Sequence, residues 1–137
     1  MERKKLIKLL WAYKFNSDKE KKIAYKIEEL RSSKTSVAIS YDRVPGGGTS
    51  TMSDYIVRLT DLETELAHYA SDKLLAYNKV TGIINSLAFD TDKEIMYQRY
   101  ILWKNWQEIA DDMCYSYERI RHKHSEILTE LEKSSTF

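Results

Sequence analysis

A chain of 137 residues with 42% hydrophobic and 31% charged side chains has the make-up of one ordinary globular domain, which excludes a disordered tract or a membrane span. One Pro and four Gly leave little to punctuate it and favour helices over a turn-rich β fold; a single Cys, Cys114, excludes an internal disulfide and a thiolate-rich zinc site. The net charge of +1 is unevenly spread, with eleven Lys or Arg against five Asp or Glu in residues 1–34 and four against eight in residues 54–94.

The first residues look briefly like an export signal. Lys8 and Lys14 interrupt the apolar run, however, and no small-residue cleavage site follows, so a soluble protein of a reducing cytoplasm is expected. No stretch approaches the roughly 18 apolar residues of a membrane span, and no membrane partner is expected. Leu6, Leu9, Leu10 and Tyr13 recur at helical spacing and predict a short amphipathic helix over residues 2–15. Ser17 and Glu20 have the spacing of a capping box that starts a second helix, with Ile23, Ile27 and Leu30 as its inner stripe. Residues 1–31 thus read as a basic N-terminal helical hairpin.

Residues 32–53 are rich in Ser, Thr and Gly and hold Val44-Pro45-Gly46-Gly47-Gly48, which reads as a loop or linker. A phosphate-binding loop is not expected, because no Gly-Lys-Ser/Thr follows the glycines and no apolar strand precedes them. From about Asp54 to Leu87 a long helix is predicted. Met52, Leu59, Leu66, Val80 and Leu87, with Tyr55, Leu62, Tyr69, Ala76 and Ile83 three further on, form its seam. That stripe serves either packing within the chain or a homodimer, and its extra width at Ile56, Ala70, Tyr77 and Ile84 favours the former. Lys73 interrupts the seam and Gly82 weakens it, so a kink or helix break is expected near Thr81-Gly82. Asp90, or Thr91 with Glu94, is expected to cap another helix carrying Ile95, Met96, Tyr100 and Ile101.

Residues 105–131 read as two helices joined by a tight turn, within a helical domain spanning residues 54–137. Asn105 and Glu108 can cap the first, whose inner face is Trp106, Ile109, Ala110 and Met113. Ser116 can cap the second, whose inner face is Ile120, Ile127, Leu128 and Leu131. A small residue at Ala110 lets two helices cross closely, as in a helix-turn-helix. The polar face of the second helix offers the mixed donors and acceptors that read base edges in a major groove. Tyr117, Glu118, Arg121 and His122 are expected to contact bases; Ser116, Arg119, Lys123 and Lys104 are expected to contact phosphates.

The stretch from Tyr97 to His124, with Arg99-Tyr100, Trp106-Gln-Glu-Ile-Ala110 and a helix started by Ser116, resembles region 4 of bacterial sigma factors. With the Val44-to-Gly48 loop and the Met52-Ser-Asp-Tyr-Ile56 segment, the chain is similar to the small sigma-like regulators of phages and prophages of Gram-positive bacteria, the ArpU/RinA kind. The resemblance implies an all-α fold with a long central helix and a C-terminal helix-turn-helix. It also implies double-stranded DNA as partner, host RNA polymerase as a second one, and control of late phage genes in a bacterial cytoplasm. Two positions depart from the pattern. Cys114 stands where many such turns have a Gly with positive φ, and His124 stands where a core Leu is usual, read here as a locally hydrogen-bonded histidine.

Lys104, Arg119, Arg121 and Lys123 are balanced by Glu108, Asp111, Asp112 and Glu118, so the motif alone neutralises few phosphates. The basic N-terminus, a homodimer or RNA polymerase has to supplement it. His122 and His124 point to different helix faces, which excludes joint metal ligation. No nucleophile, base or carboxylate set suggests catalysis, and no cofactor is expected. The expectation is a sequence-specific transcriptional regulator. The alternatives are a small-terminase-like DNA-packaging factor and a sigma-like module that docks RNA polymerase without reading bases.

Overall fold

Helix-forming residues run almost unbroken along the chain, and a computed structural model, which describes residues 1–39 and 51–134, folds them into α-helices. In order these are α1 (Arg3–Leu10), α2 (Ala12–Ile39), α3 (Thr51–Asn85), α4 (Asp90–Tyr100), α5 (Trp106–Met113) and α6 (Tyr117–Lys133). Among the described residues there is no strand, and no helix is long and apolar enough to cross a membrane. The chain divides into two compact units: Met1–Asn16 with Lys73–Phe137, and Ser17–Asp72.

In the first unit, the inner face of α1 places Leu6 and Leu10 at zero exposure against Val80, Ile83 and Ile84 of α3, Met96 and Tyr100 of α4, and Ile127, Leu128 and Leu131 of α6. Each such side chain contributes roughly 1.5–3 kcal/mol by leaving water, so this cluster fastens four helices together. The Met1 ammonium donates to the Glu132 carbonyl at 3.1 Å, Arg3 Nη2 donates to Thr129 Oγ1 at 2.9 Å, and Arg3 pairs with Glu132. α1 is therefore part of the core rather than a free basic arm.

Several boundaries differ from the sequence reading. The first helix ends at Leu10, and after Trp11 the chain continues at once as α2, with Phe15 N–H donating to the Trp11 carbonyl at 2.9 Å. Ser17 consequently lies inside α2, where it is buried, instead of capping it; good helix formers on both sides outweigh its capping preference. Helix extends to Ile39 and resumes at Thr51, shortening the expected loop of residues 32–53, while Val44-Pro45 and Gly46 to Gly48 lie outside the described residues. α3 passes through Thr81-Gly82 unbroken. Thr81 Oγ1 bonds back to the Tyr77 carbonyl at 2.9 Å, and a Cβ at exposed Gly82 would meet nothing within 4 Å, so this glycine carries only its propensity cost of about 1 kcal/mol. Phe89, not Asp90 or Thr91, occupies the N-cap of α4 and makes no side-chain cap; Asp90 and Asp92 instead lie in the first turn, where the helix dipole favours them.

The second unit holds Ser17–Ile39 of α2 and Thr51–Asp72 of α3. Ile23 and Ile27 are buried, whereas Leu30, Leu59, Leu62, Leu66 and Tyr69 are only half-buried. Arg31 Nη2 meets Glu63 Oε1 at 3.5 Å. Two helix segments cover one stripe each and leave the flanks of that stripe open.

Candidate nucleic-acid interface

The motif is built between two reversals of the chain. After α4, Trp103 adopts a left-handed backbone (φ 58°), its indole Nε1 donates to the Tyr100 carbonyl at 3.0 Å, and the Lys104 N–H reaches back to the Gln98 carbonyl at 3.0 Å. Asn105 then starts α5 with a complete capping box: Glu108 N–H donates to Asn105 Oδ1 at 2.8 Å and Asn105 N–H donates to Glu108 Oε1 at 3.4 Å.

Cys114 ends α5 at φ 58°, ψ 38°. The Tyr115 N–H bonds to the Ala110 carbonyl at 3.0 Å and the Cys114 N–H to the Asp111 carbonyl at 3.4 Å, the pattern of a Schellman termination. The turn thus keeps the left-handed shape without glycine. Ser116 caps α6 by accepting from the Arg119 N–H at 3.1 Å. Ile95, Ile109, Ala110 and Ile120 are fully buried together, with Trp106, Met113 and Tyr115 packed around them. A methyl group at Ala110 is all that this tight contact between α5 and α6 accommodates.

With Ile120, Ile127, Leu128 and Leu131 inward, the helical period places Glu118, His122 and Ser125 on the outermost ridge of α6, and all three are exposed. Tyr117 and Arg121 share one flank: Arg121 Nη1 donates to the Tyr117 hydroxyl at 2.9 Å, and its guanidinium stands 5.3 Å from the Trp106 ring. Arg119 and Lys123 share the other flank, 4.9 Å and 5.9 Å from the Tyr115 ring. His122 Nε2 lies 2.8 Å from Glu126 Oε1. Ser116, Tyr117, Glu118, Arg119, Arg121 and His122 are exposed, and Lys123 and Lys104 are half-buried. Six of these eight side chains lie in the first turns of α6 and Ser116 is its N-cap; Lys104 belongs to the segment that enters α5.

Two residues behind this surface were not singled out from the sequence. Gln98, 1% exposed, donates through Nε2 to Glu94 Oε1 at 2.8 Å and Asp112 Oδ2 at 2.7 Å, joining α4 to the end of α5, while its own Oε1 is buried without a partner. Arg99 lies between indoles, 5.0 Å from Trp11 and 4.3 Å from Trp106, and donates to the Lys104 carbonyl at 3.0 Å. A polar residue on a short helix carries no mark of such burial in its spacing; only the Arg99-Tyr100 pair lay within the motif that was recognised.

Burial sets the electrostatics here. It lowers the Arg99 pKa, it pushes the Tyr100 hydroxyl up to about 12, and it pushes the His124 imidazole down to about 4, helped by the cations of Arg99 and Arg121. His124 is therefore neutral near pH 7. Its Nε2 lies 2.7 Å from the Tyr100 hydroxyl and its ring 4.5 Å from that of Trp106.

No protein-family model, no curated protein and no solved structure matches this chain. Among the described residues, no three His, Cys, Asp or Glu side chains come together as a metal ion would require. Tight-turn geometry and an exposed, mixed-polarity helix face are therefore the features that bear on function.

Proposed function

We propose that the chain is a sequence-specific DNA-binding transcriptional regulator that inserts the start of α6 into a major groove. The observation that carries this reading is the pairing of a Schellman turn at Cys114 with a Ser116-capped helix whose outer ridge, Glu118, His122 and Ser125, is uncovered. Glu118 and His122 would enter the groove deepest. The flank cations Arg121 on one side and Arg119 with Lys123 on the other stand where base edges and the two phosphate backbones run. The N-termini of α5 and α6 add their positive dipole ends.

The resemblance to sigma region 4 makes promoter DNA the natural target, with RNA polymerase as co-partner and a bacterial cytoplasm as setting. Selecting bound duplexes from a random library with the full chain tests the reading. An enriched motif that weakens on replacing Arg121 or His122 supports it. Retention of duplexes with no sequence enrichment removes it.

A further inference from the structure

Tyr115 stands between the left-handed residue Cys114 and the N-cap Ser116, and its N–H is tied to the Ala110 carbonyl at 3.0 Å. From the position before an N-cap, an apolar side chain staples the entry of a helix by packing on the fourth helical residue. In α6 that residue is Ile120, and Tyr115 packs on the buried cluster of Ile95, Ile109, Ala110 and Ile120. The staple asks only for an apolar side chain, which Leu or Met would supply as well as Tyr.

The aromatic ring adds something that the staple does not need. Arg119 and Lys123 follow Tyr115 at steps of four residues, and their charged ends stand 4.9 Å and 5.9 Å from the centre of its ring. Both distances lie within the reach of cation–π attraction, about 6 Å. Among the described residues, neither cation has a carboxylate within 4 Å. Acids close by in sequence are engaged elsewhere: Glu108 in its capping box, Asp111 by Gln107 at 2.8 Å, Asp112 by Gln98 at 2.7 Å and Glu126 by His122 at 2.8 Å. The ring thus takes the place of a counter-ion. A carboxylate would fill the N–H donors of Arg119 and offset its charge, whereas a π face leaves the charge in place for a phosphate oxygen.

We infer that Tyr115 is a positioning residue for a two-cation clamp on the phosphodiester backbone of DNA, its ring holding Arg119 and Lys123 together on one flank of α6. This rests on the DNA-binding reading and deepens it by naming what readies that flank for one strand. Lys and Arg are among the side chains with most rotamer freedom to lose, so holding them beforehand lowers the cost of binding. A clamp on phosphates reads no sequence, and its loss is felt equally on every duplex.

Binding titrations of the full chain on two duplexes, one selected from a random library and one unrelated, test this. Tyr115→Leu keeps the staple and is expected to weaken binding about three- to tenfold on both duplexes alike. Tyr115→Phe keeps the ring and is expected to bind within about twofold of the wild type. In a chain carrying Arg119→Ala with Lys123→Ala, Tyr115→Leu is expected to have no further effect, an outcome that a purely structural staple would not give. Thermal melts check folding, and Tyr115→Met replaces Tyr115→Leu if the latter is unfolded at the assay temperature. The inference is overturned if the ringless variant binds as tightly as the wild type, if Tyr115→Phe loses as much as Tyr115→Leu, or if the loss is as large without the two cations. A loss confined to the selected duplex overturns it too, since Tyr115 would then serve sequence reading. A wild-type chain that binds neither duplex removes the DNA reading and this inference with it, whereas sequence-selective binding indifferent to the Tyr115 ring removes the inference alone.

Discussion

The Tyr100 hydroxyl and His124 Nε2 lie 2.7 Å apart and join α4 to α6 behind the exposed ridge of α6. With the imidazole held neutral down to about pH 4 in the fold and titrating near 6.5 when unfolded, the unfolded chain binds more protons between those values. Stability contributed by neutral His124 is fully present above pH 6.5 and is lost as pH falls from 6.5 towards 4, by up to about 3 kcal/mol. Urea denaturation at pH 7.0 and 5.0 measures this. The difference is expected to shrink in His124→Phe, and an equal loss of stability in that variant would show that other groups titrate.

Arg121 is already held by the Tyr117 hydroxyl and the Trp106 ring, so little side-chain freedom remains to be lost on binding. Arg121→Ala is expected to cut discrimination between a selected site and an unrelated duplex by about 1–3 kcal/mol in gel-shift titrations. An equal loss on both duplexes would mark Arg121 as a phosphate contact.

Cys114 holds a positive φ that side chains adopt at a cost. Cys114→Gly is expected to raise stability by about 0.5–1 kcal/mol, and Cys114→Val to lower it by more, because a β-branched side chain crowds that backbone. Thermal melts read both. A Gly variant less stable than the wild type would show that the Cys114 side chain contributes more than its backbone costs.

Ala110 is fully buried where α5 meets α6. Ala110→Leu is expected to cost about 1–3 kcal/mol by overpacking, and DNA binding is expected to fall even at temperatures where the variant remains folded, since α6 is displaced from α5. Binding unchanged in a folded Ala110→Leu protein would mean that the spacing of these two helices does not matter for recognition.

Lys4, Lys5 and Lys8 are exposed on α1, whereas Leu6 and Leu10 are core. Truncating α1 would therefore unfold the first unit, so the role of its charge is tested by replacing the three lysines with alanine. If they contact phosphates, the slope of log binding constant against log salt is expected to fall by up to about 3 with the melting temperature unchanged. An unaltered slope would leave supplementation of the motif to dimerisation or to polymerase.

Much of the first unit was legible in the sequence, because its helices have strong stripes and chemical punctuation. Leu6, Val80, Ile83, Met96, Ile109 and Ile120 were placed inward by periodicity alone, and the caps at Asn105 and Ser116 by residue type. Legibility failed where tertiary context overrode a local preference. Ser17 has a capping side chain but lies within α2, and Thr81-Gly82 stays helical in α3. Gln98 and Arg99 were illegible for a different reason: their burial comes from Asp112, Trp11 and Trp106, which sequence spacing does not bring near them.

Trp103 and Cys114 bracket α5 with two left-handed residues, neither of them glycine. Each corner is held by backbone hydrogen bonds, so the frame makes no demand on the identities of Glu118, His122 or Ser125. Those three positions can change while the scaffold stays constant, so under the proposed function a lineage could alter the DNA sequence that is read without rebuilding the fold. Inserting one residue into α5, by contrast, would swing all that follows by about 100°, so the length of this short helix should tolerate far less change than the letters on the face it supports.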